Sequence, residues 1–400
     1  MSRHGRVLVA MSGGVDSSVA AGLLHGAGYE VVGVTMKTWD YETSMGGAAA
    51  SRAVASRKQS GCCSLDDMND ARAVAVALGA AHTVVDIRAE FGGWVVDRFE
   101  EDYLAGRTPN PCVLCNTHIK WAALLRRADA LGCDHIATGH YARLRPAAPP
   151  AGAAAGGAGR RVVSRGVDRS KDQSYVLWGV AQDHLARTVL PLGGYDKSEI
   201  RRLAAEMGFE HVAGKKDSYE ICFVPDDDYR GFLRRRHGLD DLAGGPFVWA
   251  ETGETVGAHE GYPFYTVGQR RGLGLALGEP AYVVRIEPET NTVVVGPRSA
   301  LGARALVAHG VVWGGVAGLS GEAEVWGQIR HRDPGAAAVA RQTGPDAFEA
   351  VFAEPRAAVA PGQAAVLYDG DDVLAGGWIA SAPAETAPPA ADEFVALPTL

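Results

Sequence analysis

The sequence predicts an α/β protein in which a doubly wound parallel sheet is followed by a small middle module and a C-terminal β-barrel. Strand-like and helix-like apolar patterns alternate through the first 140 residues, which is typical of a parallel sheet covered by helices. Beyond about residue 215 the pattern changes to short apolar strands separated by glycine turns, which indicates a mainly β region. A glycine-rich turn also follows the first strand directly, where such sheets bind ligands.

The elements of the N-terminal part follow from the period of their apolar residues. We predict strands near residues 6–11, 30–36, 82–87 and 134–138, and helices near residues 15–27, 66–79, 90–105 and 116–131. Ligands bind at the carboxyl ends of the strands in a doubly wound sheet, and the glycine turn, Met36 and Gly139 all fall there.

The remaining sequence contains hairpins, two inserted segments and a tail. Strands near 141–145 and 161–165 enclose a low-complexity tip, 146–159, and residues 42–60 form a second insertion rich in Ala, Gly and Ser. Apolar runs on both sides of residues 288–291 predict another hairpin. The predicted division is 1–214 for the parallel-sheet domain, 215–280 for the middle module, 281–380 for the barrel and 381–400 for a disordered tail.

Length and composition indicate a globular chain. Its 400 residues, 47% hydrophobic and 22% charged, are enough for two or three domains. No apolar run approaches the ~20 residues of a membrane span, and the N-terminus lacks the layout of a signal peptide. We therefore expect a cytoplasmic protein with no membrane partner. Six cysteines are too few for a disulfide framework in a chain of this length.

The net charge of -8 is unevenly distributed. Residues 369–400 hold six acids and no Lys or Arg, so the rest of the chain is nearly neutral. Within that rest lie basic clusters at 201–202, 215–216, 234–236 and 270–271, which together could track a phosphate backbone. Each cluster alone is more often a solvated face. The total charge therefore does not exclude a nucleic-acid partner.

The glycine turn in the stretch VLVAMSGGVDSSVAAGLL suits a phosphate group. Gly13 and Gly14 allow a tight turn, the serine hydroxyls can donate, and the amides at the start of the helix favour an anion. No lysine follows the glycines as it would in a Walker loop. Asp16 adds a negative charge, which is explained if it binds Mg²⁺ or stabilises the helix start. The alternative is an ordinary glycine turn capped by serine.

Cys112 and Cys115 form a Cys-x-x-Cys pair just before a predicted helix, where the helix dipole lowers the pKa of a thiol. Alone, the pair is compatible with a redox pair, half a zinc site or coincidence. A structural zinc site is disfavoured, because Cys222 and the adjacent pair at 62–63 do not supply a second pair at similar spacing. Cys133 is most simply a buried small residue.

Seven ordered motifs resemble those of the bacterial tRNA-specific 2-thiouridylases: AMSGGVDSSVAA, TPNPCVLCN, ATGHYAR, KDQSYVLW, KKDSYEICFV, YTVGQRRGLG and PGQAAVLYDG. The resemblance extends from Val7 to about Ile379, whereas the first motif alone would indicate only a PP-loop ATP pyrophosphatase. It implies a PP-loop domain of the adenine-nucleotide-hydrolase type and a sulfurtransferase activity on tRNA. ATP activates C2 of the wobble uridine, sulfur from a protein persulfide replaces the oxygen, and AMP and pyrophosphate are released.

The resemblance implies an ATP site with Mg²⁺ at the glycine turn. The residues that would cradle the phosphates are Ala10, Met11, Ser12, Gly13, Gly14, Val15, Asp16 and Ser17. Met36 matches an adenine-contacting position, although its own sequence context fits a core residue equally well. Gly139 would let the backbone approach the nucleotide.

The resemblance also assigns two cysteines to sulfur transfer. Cys222 would carry the persulfide loaded by a sulfur-donor protein, and Cys115 would attack its inner sulfur and leave a transient Cys115–Cys222 disulfide. Two buried structural cysteines are the alternative. Cys112 stands where the family often has an Asp with an acid/base role, so that role is in doubt here. Cys112, Cys115 and Cys222 together could instead hold a [4Fe–4S] cluster, which is the less favoured route.

Further residues match tRNA contacts of the family. They are Asn110, Pro111 and Cys112 beside the target base, His140, Lys171, Asp172 and Gln173 elsewhere on the tRNA, and Arg330, His331 and Gln363 from the barrel. Chemistry at a base carbonyl demands a flipped-out base in a deep pocket. For Lys171 and Arg330 the alternative is a solvated surface charge.

Two competing functions fit the sequence less well. Another PP-loop enzyme, a ligase acting on a small molecule, would need neither the cysteine pair nor an all-β extension that binds RNA. A non-catalytic tRNA-binding or redox protein would not need the intact Ser-Gly-Gly-Val-Asp-Ser turn.

Overall fold

The computed structural model describes residues 3–39, 64–147, 159–215, 221–224, 228–239 and 242–382. The insertion predicted at 42–60, the pair Cys62–Cys63, most of the tip at 146–159 and nearly all of the tail predicted at 381–400 lie outside these residues.

The N-terminal domain is built on a five-stranded parallel sheet, as the alternating pattern predicts. In sheet order the strands are β3 (Ala81–Asp86), β2 (Glu30–Lys37), β1 (Arg6–Ala10), β4 (His135–Ala137) and β7 (Thr188–Val189). Every neighbouring pair is parallel. The order reverses direction between β1 and β4, which creates the crevice in which doubly wound sheets bind ligands. The predicted fold class is confirmed.

Helices lie between the strands and beyond them. They are α1 (Val15–Ala27), α2 (Leu65–Ala77), α3 (88–104), α4 (111–130), α5 (Gln182–Ala186), α6 (Lys197–Glu206), α7 (Glu210–Ala213) and α8 (Tyr229–His237). The predicted helix at 116–131 begins earlier, at Pro111, because proline suits the first helical position and Asn110 caps it.

Two helices contain π-helical turns. In α3 the turn Gly92–Val96 joins Arg88–Phe91 to Asp97–Leu104. In α4 the turn Cys115–Lys120 joins Pro111–Leu114 to Trp121–Ala130. The two turns pack together, and Trp94 stacks on His118 with ring centroids 4.9 Å apart. Such turns are frequent at functional sites.

The middle module is a four-stranded sheet in the order β10 (Tyr282–Glu287), β11 (Thr292–Gly296), β8 (Gly245–Trp249) and β9 (Thr255–His259). The hairpin predicted around residues 288–291 is present, with Asn291 in the left-handed conformation at φ 49°. Its strand β11 pairs with β8 in parallel. Hydrogen bonding thus joins the hairpin to the sheet of the middle module. The division predicted from the sequence places residues 281–380, and with them this hairpin, in the barrel.

The C-terminal strands close into a six-stranded antiparallel barrel. In barrel order they are β12 (Gly302–Trp313), β15 (Ala347–Ala357), β14 (Ala336–Gly344), β13 (Glu322–Gln328), β16 (Ala364–Asp369) and β17 (Asp372–Ser381), and β12 pairs with β17 to complete the ring. Closure removes the exposed edges that an open sheet would leave.

The predicted hairpin of β5 (Ala142–Pro146) and β6 (Arg161–Arg165) belongs to the N-terminal part of the sequence but joins the barrel. β6 pairs with β17 at Ser164 and Asp372. Around this junction Arg143 and Arg169 bind Asp371 at 2.8 and 2.6 Å, and Arg145 binds Asp372. Three arginines on and beside this hairpin therefore bind the turn between β16 and β17 of the barrel.

Two apolar cores also cross the domain borders. Trp121 and Tyr175 pack in one cluster with Tyr368 of the barrel. Phe91 and Cys115 pack in another with strands of the middle module. No helix among the described residues is long and apolar enough to cross a membrane.

Candidate active site

The glycine turn connects β1 to α1 and is organised by its own polar groups. Gly13 has φ +73°, and a Cβ there would lie 2.1 Å from the carbonyl oxygen of Asp67, so glycine is required twice over. Gly14 is the N-cap of α1 and makes no side-chain cap. The amide of Ser12 donates to Oγ of Ser17, and Oγ of Ser17 donates to the carbonyl of Gly14. A helix start without a side-chain cap leaves its amides to an external acceptor such as phosphate.

Asp16, in the first turn of α1, is held by two partners from distant segments. Nζ of Lys197 lies 2.8 Å from both carboxylate oxygens, and the hydroxyl of Tyr141 donates to Oδ1 at 2.6 Å. The Lys197 side chain is 12% exposed and the Asp16 side chain 32%, so this ion pair is partly shielded from solvent. From the sequence, Asp16 was expected to bind Mg²⁺ or to stabilise the start of the helix. The structure adds a further role, because Asp16 positions Lys197 and Tyr141 at the turn.

A second lysine reaches the turn from the opposite side. Nζ of Lys215 donates to the carbonyl of Gly13 at 3.0 Å and pairs with Asp67 and Asp70 on α2 at 2.8 and 2.5 Å. Hydrogen bonds to both carboxylates raise the pKa of Lys215 despite its partial burial. Two lysine ammonium groups therefore border the turn, each paired with at least one carboxylate.

Gly139 and Met36 occupy the expected edge of the sheet. A Cβ on Gly139 would come within 2.9 Å of the amide nitrogen of Ser17, so the close approach that requires glycine here is to the backbone of α1. Met36 is half-buried near the end of β2 and packs against both apolar cores. Of the other residues of the turn, Met11, Val15 and Ser17 are buried, whereas Ala10 is half-buried.

The two cysteines of the Cys-x-x-Cys pair lie inside α4 rather than before it. Cys112 is in the first turn and reaches solvent, whereas Cys115 is buried at the start of the π-helical turn. The pKa of Cys112 is raised, because the surrounding protein desolvates its thiol more strongly than the charge of Lys120 favours the thiolate. The expected lowering of the pKa by the helix dipole is therefore wrong for Cys112.

Cys222 is held close to the core that contains Cys115. Its neighbour Phe223 is fully buried and packs edge-on against Phe91 and Phe99, with ring centroids 5.8 and 5.1 Å apart. Phe223 and Cys115 belong to the same apolar cluster. Cys222 itself is exposed, whereas Cys115 is buried. The thiol of Cys222 is thus accessible and that of Cys115 is buried, and the apolar cluster contains both Cys115 and Phe223, the neighbour of Cys222.

No group of three His, Cys, Asp or Glu side chains within the described ranges is arranged to hold a metal ion. This includes Cys112, Cys115 and Cys222, so the arrangement does not fit an iron–sulfur cluster and we derive no step through one. The Asp16 carboxylate is engaged by Lys197 and Tyr141, as described above.

His140 lies on the wall of the crevice. Its Nδ1 is 2.6 Å from the hydroxyl of Thr138, and its ring packs on Trp121. Desolvation, with a smaller contribution from the charge of Lys120, lowers the pKa of His140 to about 3. The ring is therefore neutral near pH 7 and can contact RNA only by neutral hydrogen bonds or stacking.

We expect the imidazole signals of His140 in NMR spectra of the folded protein to stay constant between pH 8 and pH 5, and to titrate normally in urea. Since the folded pKa lies below the unfolded value, the unfolded chain binds the proton first. The contribution of His140 to the free energy of unfolding is thus fully present above about pH 6.5 and falls as the pH drops from about 6.5 towards 3. His140→Gln assigns the signal; a folded-state titration near pH 6.5 would contradict the expectation.

The residues expected to contact tRNA line the border between the N-terminal domain and the barrel. Asn110 donates to Gln363 at 3.4 Å, and Gln363 donates to the carbonyl of Pro109 at 2.9 Å. Arg330 donates to the carbonyl of Ala357. His331 packs against the ring of Tyr175, with centroids 6.0 Å apart. The structure thus brings the start of α4 beside the barrel segment that carries Gln363.

The Lys171–Gln173 segment lies on the same border. Asp172 accepts hydrogen bonds from the amide of Gly166 and the hydroxyl of Ser174, and Ser174 contacts the hydroxyl of Tyr368 in the barrel at 3.1 Å. Gln173 binds the backbone of Tyr141. These contacts show how the segment is held, while its role towards RNA stays a prediction.

Three family models match the chain in succession. The first, described as a tRNA methyl transferase HUP domain, covers residues 5–226, the second, a tRNA methyl transferase PRC-barrel domain, covers 231–297, and the third, an aminomethyltransferase β-barrel domain, covers 303–379. A protein of Salinibacter ruber named tRNA-specific 2-thiouridylase MnmA is 56% identical over 95% of both chains. The chain belongs to the tRNA-specific 2-thiouridylase family.

Other 2-thiouridylases show the same near-complete alignment. The proteins of that name from Cytophaga hutchinsonii and Carboxydothermus hydrogenoformans are 53% and 47% identical, over 95% and 94% of this chain and 99% and 97% of their own lengths. Among solved structures, a 4-thiouridine synthetase–RNA complex with bound ATP is 18% identical over 58% of this chain and 50% of that chain, at a TM-score of 0.31. A likeness this weak carries no argument.

Sequence reasoning missed three residues that organise the glycine turn. Tyr141 and Lys215 lie in the motifs ATGHYAR and KKDSYEICFV, but neither had been assigned a role at the turn. Lys197 follows Asp196, the capping residue of α6, and that capping signal is the only local sign of its position. Each reaches the turn from more than 100 residues away, a relation that no local pattern contains.

Proposed function

We propose that this protein is an ATP-dependent tRNA-specific 2-thiouridylase that converts the wobble uridine of tRNA to 2-thiouridine. The C2 oxygen of the uridine attacks the α-phosphate of ATP, pyrophosphate leaves, and sulfur then replaces the adenylated oxygen so that AMP leaves. Both departures are favoured by groups that position and neutralise the phosphates.

One observation supports this proposal most strongly: the cysteine-bearing end of α4 lies at the same sheet edge as the phosphate-binding turn. α4 packs on β1 and β4 and leads back into β4, so its N-terminus points to the carboxyl ends of the strands. The glycine turn leaves β1 at that edge. An adenylated base and a thiol would therefore meet in one crevice.

In the proposed sulfur transfer the accessible and buried thiols have different tasks. Cys222 receives a terminal sulfur from a donor protein, which suits its exposure, and Cys115 attacks the inner sulfur of that persulfide. A Cys115–Cys222 disulfide forms as hydrosulfide leaves to attack C2. A thiol reductant must then regenerate both cysteines. Another PP-loop ligase is the alternative function, but it would leave both cysteines without a task.

For the cofactor and the RNA we propose a coarser arrangement. ATP with Mg²⁺ is held by the turn 10–17, with Met36 and Gly139 towards the nucleoside and Lys197 and Lys215 towards the phosphates. The tRNA lies across the border between the N-terminal domain and the barrel, where its contacts are Asn110, Pro111, Cys112, His140, Lys171, Asp172, Gln173, Arg330, His331 and Gln363. The protein acts in the cytoplasm, where tRNA and ATP occur together.

Nucleoside mass spectrometry of tRNA from cells that lack this protein tests the proposal. We expect 2-thiouridine derivatives to disappear and to return with the wild-type protein. With purified protein, unmodified tRNA, ATP and a persulfide donor, 2-thiouridine should form; a parallel reaction with S-adenosylmethionine and no ATP tests the activity that the names of two family models suggest. Unchanged 2-thiouridine in the cells, or methylated product in the second reaction, would overturn the proposal.

Cys112→Asp should keep thiolation within about tenfold of wild type, because the change restores an acidic group beside the base and leaves Cys115 and Cys222 intact. If three thiolates instead held iron, the hard carboxylate would weaken iron binding and activity together. Anaerobic purification with iron and sulfide analysis, followed by thiolation assays, distinguishes the two. Cys133→Ala is the matched control. Activity that tracks bound iron would overturn the persulfide route.

A further inference from the structure

Residues 168–173, here called the border loop, connect the RNA-facing border to the phosphate-binding turn. The loop is fixed internally by Asp168, which accepts hydrogen bonds from the amide and hydroxyl of Ser170 at 3.0 and 2.6 Å. Arg169 ties it to Asp371 of the barrel. The loop thus contacts the barrel through Arg169, and two other loop residues contact residues that hold Asp16.

The first connection runs through Gln173 and Tyr141. Oε1 of Gln173 accepts a hydrogen bond from the amide of Tyr141 at 2.9 Å, and the amide of Gln173 donates to the carbonyl of the same Tyr141 at 2.9 Å. The backbone of Tyr141 is therefore bracketed by one residue of the border loop. Its side chain, 3% exposed, ends on Oδ1 of Asp16. A shift of Gln173 must displace the residue that orients Asp16.

The second connection runs through Asp168 and Lys197. Oδ2 of Asp168 accepts the backbone amide of Lys197 at 3.1 Å, and Nζ of Lys197 contacts both oxygens of Asp16. This hydrogen bond helps to lower the pKa of Asp168. Both connections start in the same six-residue loop and converge on one carboxylate at the start of α1.

We infer that Tyr141 is a positioning residue that links the border loop to Asp16, so that tRNA bound at the border and ATP bound at the turn strengthen each other's binding. The inference rests on the proposed function. It gives the enzyme a means to assemble its ATP site fully only when tRNA is present. Linkage requires the effect to be reciprocal: tRNA must raise the affinity for ATP by the factor by which ATP raises the affinity for tRNA.

The test measures that factor in the full-length protein. A non-hydrolysable ATP analogue is titrated with and without saturating unmodified tRNA, and tRNA is titrated with and without saturating analogue. For wild type we expect a factor of about 5 to 150. Tyr141→Phe removes only the hydroxyl that binds Asp16 and should reduce the factor about tenfold, or to one. Tyr29→Phe, the same change at the opposite end of α1, should leave it unchanged.

A second variant addresses the other end of the connection. Gln173→Met removes the acceptor for the Tyr141 amide and should lower the factor even if it also weakens tRNA binding, because the factor is a ratio of affinities. The double variant should lose no more than the larger single loss, since both changes interrupt one connection. If the double variant instead lost coupling free energy equal to the sum of the two single losses, the two changes would act independently and the inference would be contradicted.

The outcomes separate this inference from the proposed function. A wild-type protein that thiolates tRNA but has a factor of one, or a Tyr141→Phe protein that keeps the wild-type factor, overturns the inference and leaves the function standing. A wild-type protein that binds neither tRNA nor the analogue overturns the function itself. Circular dichroism and thermal unfolding of each variant show whether it is folded; if Tyr141→Phe is unfolded, Gln173→Met alone decides.

Discussion

Replacing either Cys115 or Cys222 by serine should reduce the formation of 2-thiouridine by about 10⁴-fold or more, since loss of an essential nucleophile has effects of this size. Serine keeps the size of the side chain but cannot carry or attack a persulfide sulfur. Quantitative nucleoside analysis of a single-turnover reaction, with protein in excess over tRNA, measures the loss.

The same variants separate the two halves of the reaction. Adenylation precedes sulfur transfer, so one equivalent of pyrophosphate should still be released per tRNA by either serine variant. Wild type, quenched after one turnover without reductant, should contain a Cys115–Cys222 disulfide that peptide mass spectrometry detects and that neither variant can form.

Cys133→Ala is the control for these variants. Cys133 is also a buried thiol but precedes β4, at the opposite edge of the sheet from the crevice. The Cys133→Ala protein should form 2-thiouridine at a rate within about twofold of wild type, because the changed residue is remote from the reacting groups. A Cys115→Ser protein with full activity would remove Cys115 from the mechanism, and the buried thiol would then be structural.

Asp16→Ala should lower pyrophosphate release by about 10²- to 10³-fold while tRNA affinity measured without ATP stays within about twofold of wild type. The change leaves Nζ of Lys197 without its carboxylate and the hydroxyl of Tyr141 without its acceptor, so both lose their positions at the turn. If Asp16 were only an unfavourable charge near phosphate, its removal would strengthen ATP binding and preserve turnover.

Two further variants make this result specific. Asp66→Ala removes an exposed carboxylate from the first turn of α2 and should have almost no effect. Lys197→Met should resemble Asp16→Ala, and the double variant should be no worse than either, because a pair that acts as a unit shows non-additive losses. Undiminished pyrophosphate release by Asp16→Ala would exclude the turn as the site of ATP activation.

The parts of the fold that sequence reasoning found are those with short-range causes. β1, α1 and β2 lie within about a residue of their predicted bounds, because apolar period and glycine turns are local properties. The hairpin of β10 and β11 follows from its turn residues in the same way. Which sheet that hairpin joins depends on β8, whose residues lie 46 positions before their partners in β11, and the apolar period of the sequence contains no such information.

The same distinction between local and distant causes applies to the candidate site. The turn 10–17 and the Cys-x-x-Cys pair are continuous motifs and could be found by eye, whereas the partners of Asp16 come from positions 141 and 197. The pKa of Cys112 was misjudged because the helix dipole is a local effect and desolvation is not: it depends on everything packed around the start of α4. Neither π-helical turn could be foreseen, since residue propensities do not distinguish π from α geometry.

The π-helical turn at Cys115–Lys120 determines how the two parts of α4 on either side of it are rotated relative to each other about the helix axis. Such a turn accommodates one residue more than an α-helical turn, and each residue of an α-helix advances the helix by 100° and 1.5 Å. The buried face of Trp121–Ala130 is fixed against the sheet, whereas Asn110 at the other end caps the helix and contacts the barrel. Deleting one residue between 116 and 120 would therefore leave an ordinary α-helical turn and nearly the same orientation of Cys112 and Cys115, whereas converting the π-helical turn to α-helix with all its residues kept would rotate both by about 100° relative to that face. The π-helical geometry of this turn therefore fixes the angle about the helix axis at which both thiols are presented.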